Sequence, residues 1–150
     1  QSGTNDVVQK SSPVQVVESS HWAYPVSWKQ LAHSRYHSAG IAQLSGNTVD
    51  SLMTWGYNVD GQLGDLSRTQ RRSPVLVEGA SASNWISIGA GHRHTVGVTS
   101  ENKVYSWGNN AFFCSVYLGA TRSSPVSINH NTSFGQVPQA ITKVIKPFCE

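Results

Sequence analysis

Charge is scarce in this chain. Asp, Glu, Lys and Arg supply 13% of its 150 residues, about half of the roughly 25% usual for soluble globular domains. The net charge of +3 gives no reason to expect a polyanionic partner. The nearest approach to a basic patch is Arg68, Arg71 and Arg72, which has no interleaved aromatics and reads as a solvated loop. Only two cysteines occur, Cys114 and Cys149, without a Cys-x-x-Cys or metal-ligand spacing. They are free thiols or one disulfide, and the redox compartment stays open. No apolar run approaches the roughly 20 residues of a membrane-spanning helix. No secretory leader is visible, although a mature chain would have lost one.

Catalytic signatures are missing as well. The sequence holds no phosphate-binding loop, no Gly-x-Ser-x-Gly, no His-Glu-x-x-His and no calcium loop. No catalytic residue, metal site or cofactor is therefore expected, and neither a membrane, a nucleic acid nor a small molecule is the expected partner. Asn131-Thr132-Ser133 fits a glycosylation sequon, a pattern short enough to arise by chance.

What fills the space left by charge is Ser, Thr, Asn and Gly, the composition of short strands joined by tight turns, and it is organised as a repeat. Ser12-Pro13-Val14-Gln15-Val16 returns as Ser73-Pro74-Val75-Leu76-Val77 and again as Ser124-Pro125-Val126-Ser127-Ile128. Trp28-Lys29-Gln30-Leu31 with Arg35-Tyr36-His37-Ser38-Ala39-Gly40-Ile41 returns under one uniform shift. The second copy reads Trp85-Ile86-Ser87-Ile88 with His92-Arg93-His94-Thr95-Val96-Gly97-Val98. Thr54-Trp55-Gly56-Tyr57-Asn58 returns as Ser106-Trp107-Gly108-Asn109-Asn110. The three signals cycle in the same order and at nearly the same period. At the start, Gln1-Ser2-Gly3 precedes Gln62-Leu63-Gly64 by the same shift that separates the first two Ser-Pro-Val segments. At the end, Ile141 to Ile145 begins one period after Trp85, where another unit should open.

Each unit predicts four short strands. In the second unit they are Trp85–Gly89, Thr95–Thr99, Lys103–Trp107 and Pro125–Ile128, each β-branched or aromatic and bounded by Gly, Asn or Ser. Pro74–Val77 is the fourth strand of the unit before. Pro74 and Pro125 are placed at the start of that last strand, where a sheet edge tolerates a missing N–H. Gly56, Asn58, Gly61 and Gly64 suit an irregular loop. Four antiparallel strands per repeat unit is the arithmetic of a propeller blade. The expected fold is all-β: an arc of about two full and two partial four-stranded blades of a β-propeller. Its parts are a partial blade at 1–16, blades at 28–77 and 85–128, and the start of a further blade at 141–150.

These residues resemble the regulator of chromosome condensation repeat family. The resemblance rests on Trp55-Gly56-Tyr57-Asn58-Val59-Asp60-Gly61-Gln62-Leu63-Gly64, then Ser73-Pro74-Val75, then Gly91-His92-Arg93-His94-Thr95. It implies a seven-bladed ring, of which this chain would be an arc. The Ser-Ser-Pro-Val and Trp-Lys-Gln wording is closest in style to prokaryotic and viral members. The sequence departs from the pattern in the loop 110–119, which lacks Gly-Gln, in 146–150, and at Ser34, where the family has Gly. The family's ultraviolet-B photoreceptor carries Trp where this chain has His92 and Arg35, which disfavours photoreception.

The repeating residues read as structural. Trp28, Trp85, Trp55 and Trp107 recur at fixed positions and are expected in the blade core. Gly56, Gly108, Gly61, Gln62, Leu63, Gly64, Pro13, Pro74 and Pro125 recur in connections or at strand edges. His37 and His94 repeat once per unit and read as structural hydrogen-bonders. His92 and His94, two apart, could share a face and bind a metal, but only one of them repeats. Asp60 and Asp65 read as turn formers and not as an acid–base pair.

An open arc exposes blade faces and strand edges, so completion by a longer polypeptide or by neighbouring subunits is expected. The functional expectation is a non-enzymatic protein-interaction or scaffold module, in a virion or extracellular setting. Two alternatives are a nuclear or cytoplasmic guanine-nucleotide exchange factor that docks on chromatin, and a protein inhibitor of an enzyme.

Overall fold

The computed structural model describes residues 3–16, 26–44, 46–80, 84–109 and 121–128. The expected opening of a further blade at 141–150, both cysteines and the loop 110–119 lie outside them.

The described residues are all-β, with no helix. Eight strands follow one another: β1 Val26–His33, β2 His37–Leu44, β3 Asp50–Gly56, β4 Arg71–Leu76, β5 Trp85–Ala90, β6 His94–Thr99, β7 Val104–Gly108 and β8 Arg122–Ser127. They make two antiparallel sheets of four strands, ordered β1-β2-β3-β4 and β5-β6-β7-β8. Each sheet is a meander of neighbouring strands, which is a propeller blade. The β2–β3 and β6–β7 connections share one end of the blades. The β1–β2 and β5–β6 turns and the long β3–β4 loop share the other.

One difference from expectation concerns the prolines. Pro74 and Pro125 stand fourth in β4 and β8, not first. In the register, Thr54 pairs with Val75 and Gly56 with Arg71, so Arg72, Ser73 and Pro74 bulge out of the ladder. Ser123, Ser124 and Pro125 do the same in β8, between Val126 opposite Ser106 and Arg122 opposite Gly108. The bulge, not the strand end, excuses each proline from donating.

A second difference concerns 1–16. Val14, Gln15 and Val16 form no strand, and Pro13 is exposed. A fourth strand needs the third strand of its own blade as partner, and among the described residues none stands beside it. The segment is tied instead to the first blade, where Asn5 N–H donates to Arg72 O at 3.1 Å.

The core lies between the blades. Trp85 and Ile88 of β5 pack with Ala39 and Ile41 of β2, Leu52 of β3 and Trp107. Because both faces of β2 are covered, His37 to Ala42 are buried without a break, as strands sandwiched on both sides are.

Candidate functional site

The residues singled out by repetition converge on the junction where one repeat grips the next blade. The tryptophans come first. Trp28 and Trp55 meet edge to face at 5.9 Å and 63°, and Trp85 and Trp107 meet at 6.0 Å and 60°, an arrangement that suits the charge distribution of aromatic rings. The strand opposite makes room for the first ring of each pair. A Cβ on Gly40 would run into Trp28 Cζ3, and a Cβ on Gly97 would run into Trp85 Cζ3. The glycine recurs at the same remove from its tryptophan in both units, and that was the available sign of this packing.

The second of each tryptophan pair receives a loop from the preceding repeat. Gly64 adopts φ +70°, and a Cβ there would lie 2.6 Å from Trp107 Nε1, so both backbone conformation and space require glycine. Gly3 repeats this arrangement at φ +72° against Trp55 Nε1, 3.0 Å from its would-be Cβ. Two residues on, Asn5 and Leu66 have φ of 58° and 60°. Leu66 N–H donates to Ser123 O at 2.9 Å, as Asn5 does to Arg72. Gly61 packs against the backbone of Arg122 and Ser123. Gly56 and Gly108, both at positive φ, end β3 and β7. Leu63 and Gln62 are fully buried, while Pro13 is exposed.

The loop is braced from within. Asn58, fully buried, accepts Leu63 N–H at 2.9 Å, and its amide nitrogen lies 3.0 Å from Asp65 Oδ1 and 3.1 Å from Thr69 O. Asp65 also accepts from Ser67 and from Arg71 Nε at 2.7 Å. Burial alone would raise the Asp65 pKa, but the bonds from Ser67, Arg71 and Asn58 prevail and hold it below the usual carboxylate value. Asp60 serves differently: it reaches across to the second blade, accepting from Asn109 Nδ2 at 3.0 Å and Arg93 at 3.5 Å.

At the centre lies a buried relay. Gln62 O accepts from Thr95 Oγ1 at 2.7 Å and from Trp107 Nε1 at 3.0 Å. Thr95 Oγ1 also lies 2.8 Å from His37 Nε2, and His37 Nδ1 lies 3.0 Å from Ser34 Oγ. A carbonyl can only accept, so the Thr95 proton points to Gln62. His37 Nε2 must then donate to Thr95, which leaves Nδ1 an acceptor, and the Ser34 hydroxyl, 3.0 Å from both Nδ1 and His37 O, shares its one proton between them. Burial, with lesser contributions from His94 and His33, pushes the His37 pKa down to about 3, so the ring is neutral at ordinary pH. His94, the equivalent residue, lies over Gly91, and its pKa is lowered by burial and by His92. Sequence reasoning found both histidines but not their partners. Ser38 and Thr95, hydroxyls at equivalent positions of the two units, were the available signal.

Among the described residues no group of three or more His, Cys, Asp or Glu side chains is placed to hold a metal. A groove of about 670 Å³ runs beside β4 past Asn5, Asp65, Arg71, Arg72 and Leu76. Of the two carboxylates along it, Asp65 is taken by Arg71 and Glu78 is exposed.

Blades stacked face to face and latched by a loop from one repeat to the next define a β-propeller repeat protein. Residues 50–98 match the family model of the regulator of chromosome condensation repeat, and residues 85–114 match a second model of that description. Across residues 50–114 the chain carries regulator of chromosome condensation repeats. It is 34% identical over 62 residues to the X-linked retinitis pigmentosa GTPase regulator homolog of Caenorhabditis elegans, covering 41% of this chain and 4% of that protein. Among solved structures, human WBSCR16 superposes with a TM-score of 0.60 at 20% identity, over 68% of this chain and 25% of that one. Prp20p of Saccharomyces cerevisiae, solved with a description of its binding to Gsp1p and histones, gives 0.55 at 19% identity, over 72% and 27%. The chain thus spans about a quarter of each solved propeller.

Proposed function

We propose that this chain is a non-enzymatic interaction and scaffold module that works by contact inside a larger assembly. The observation that carries this is a pair of equivalent residues. Ile88 of β5 is 4% exposed against the first blade, whereas Leu31, at the same place in β1, is 66% exposed. Its strand presents an apolar side chain of the kind that the second blade buries. On the far side, Val96 and Val98 occupy the places of Ala39 and Ile41 and are only half-buried. Both blade faces are therefore prepared for a neighbour, whether from the same polypeptide or another subunit. The recurring Trp, Gly, Pro and His residues belong to the frame that presents these faces, not to a reaction centre.

The setting we favour is a virion or cell-surface assembly, on the strength of the low charge and the Ser- and Asn-rich connections. The test is sedimentation of residues 1–150 with amide exchange. Association that rises with concentration and weakens in Leu31→Lys is expected. A stable monomer at micromolar concentration, with β1 fully protected, would overturn the reading.

A further inference from the structure

The ends of the blades that carry the β1–β2 and β5–β6 turns bring five side chains together, four of them around one ring. Tyr36 stands at the centre. The Tyr57 ring lies 5.6 Å from it and the His92 ring 4.8 Å. The guanidinium carbons of Arg35 and Arg93 lie 5.6 and 5.5 Å from its centroid. These residues come from both blades, so the cluster exists only because the blades are stacked.

Their charges are handled unequally. Arg93 reaches Asp60 at 3.5 Å, and Asp60 is held from its other oxygen by Asn109. Arg35 is exposed, touches the Tyr36 ring, and forms no ion pair among the described residues. His92 beside it is exposed too. A guanidinium lying against an aromatic ring keeps its planar fork of N–H groups for a carboxylate. Tyr and Arg are also the residues in which protein-binding energy concentrates.

On the interaction reading given above, we infer that this platform is a docking surface for an acidic segment of a partner protein, with Arg35 taking a carboxylate and Tyr36 and Tyr57 supplying apolar contact. A nucleic-acid backbone fits less well. It needs a track of positive charge, and here one of the two guanidinium groups, that of Arg93, is already paired with Asp60.

The test is a titration of the isotope-labelled chain with a short acetylated Asp/Glu peptide, followed by amide shifts. A Lys peptide and a short oligothymidine serve as comparisons. Saturable shifts at Tyr36, Tyr57, His92 and Arg93 are expected, weakened by added salt. Arg35→Ala should reduce affinity about fivefold or more, with Arg35→Lys in between. Unchanged tryptophan fluorescence would show the blades intact in both variants. No saturable shifts, or tighter binding of the oligothymidine, would overturn the inference. Shifts confined to another face would overturn this surface and leave the interaction reading standing, since that reading falls only on the sedimentation result.

Discussion

The two blades share one plan and differ in what surrounds them. In β2 six consecutive residues, His37 to Ala42, are buried, whereas in β6 burial alternates, with Thr95, Gly97 and Thr99 inside and His94, Val96 and Val98 partly open. Trp85 is 3% exposed, while Trp28, its equivalent, is only half-buried. The residues are alike, so the difference comes from the neighbour. A blade of this kind does not own its core; it shares half of it with the next.

The sharpest way to break that comparison is to delete each tryptophan in turn. Trp85→Ala should cost roughly 3–5 kcal/mol, because it empties a site packed on both sides. Trp28→Ala should cost about 1–2 kcal/mol, since the ring buries less area. Denaturant unfolding of both variants checks this. Equal losses would mean that packing against the first blade adds nothing at Trp85.

Acid offers a test of intermediate size. His37 ionises at about 3 in the folded protein against an ordinary value of 6.5, so between these values the unfolded chain binds the extra proton. The stabilisation from keeping the ring neutral is complete above pH 6.5 and is lost as pH falls towards 3. The loss should reach about 3 kcal/mol by about pH 4. His37→Gln should flatten that part of the profile, measured as unfolding free energy against pH. A profile unchanged by the substitution would show that His37 is not the group responsible.

How far the sequence foretold this structure depends on whether a feature repeats. The blades, the four strands each and the frame tryptophans were legible because they recur once per unit, in the same order. The equivalence of Gly3 and Gly64 was legible for the same reason. The bulge around Pro74 was not, since a proline at a strand start and one in a bulge leave the same trace in sequence. Nor was the absence of a strand at 13–16, because strand formation depends on a partner and not on its own residues. The Tyr36 cluster was invisible for a further reason: Arg35 and His92 occupy equivalent positions in different blades, and only stacking brings them to one ring.

The smallest expected effect concerns Ser34 and Gly91, which stand before the two histidines. Each closes its turn with the same bond, from its own N–H to the carbonyl of His37 or His94, at 2.9 Å in both blades. Beyond that they diverge. Ser34 Oγ lies 3.0 Å from both His37 Nδ1 and His37 O and shares its proton between them, whereas at Gly91 the His94 ring fills the space a side chain would need. The glycine form and the serine form are thus two solutions for one turn, set by where the histidine ring lies. Ser34→Gly should leave a buried ring nitrogen without its donor and cost about 1–2 kcal/mol. Gly91→Ser, the reverse exchange, should also destabilise, because the added side chain must displace the His94 ring. If the rings were free to change places, each exchange would cost nothing. Unfolding of the two variants measures the energies, and the imidazole nitrogen shifts of His37 report whether its proton stays on Nε2. A proton found on Nδ1 in the parent chain would make His37 donate to Ser34 and accept from Thr95, leaving Gln62 O to Trp107 alone, and the reason given for the serine would fall.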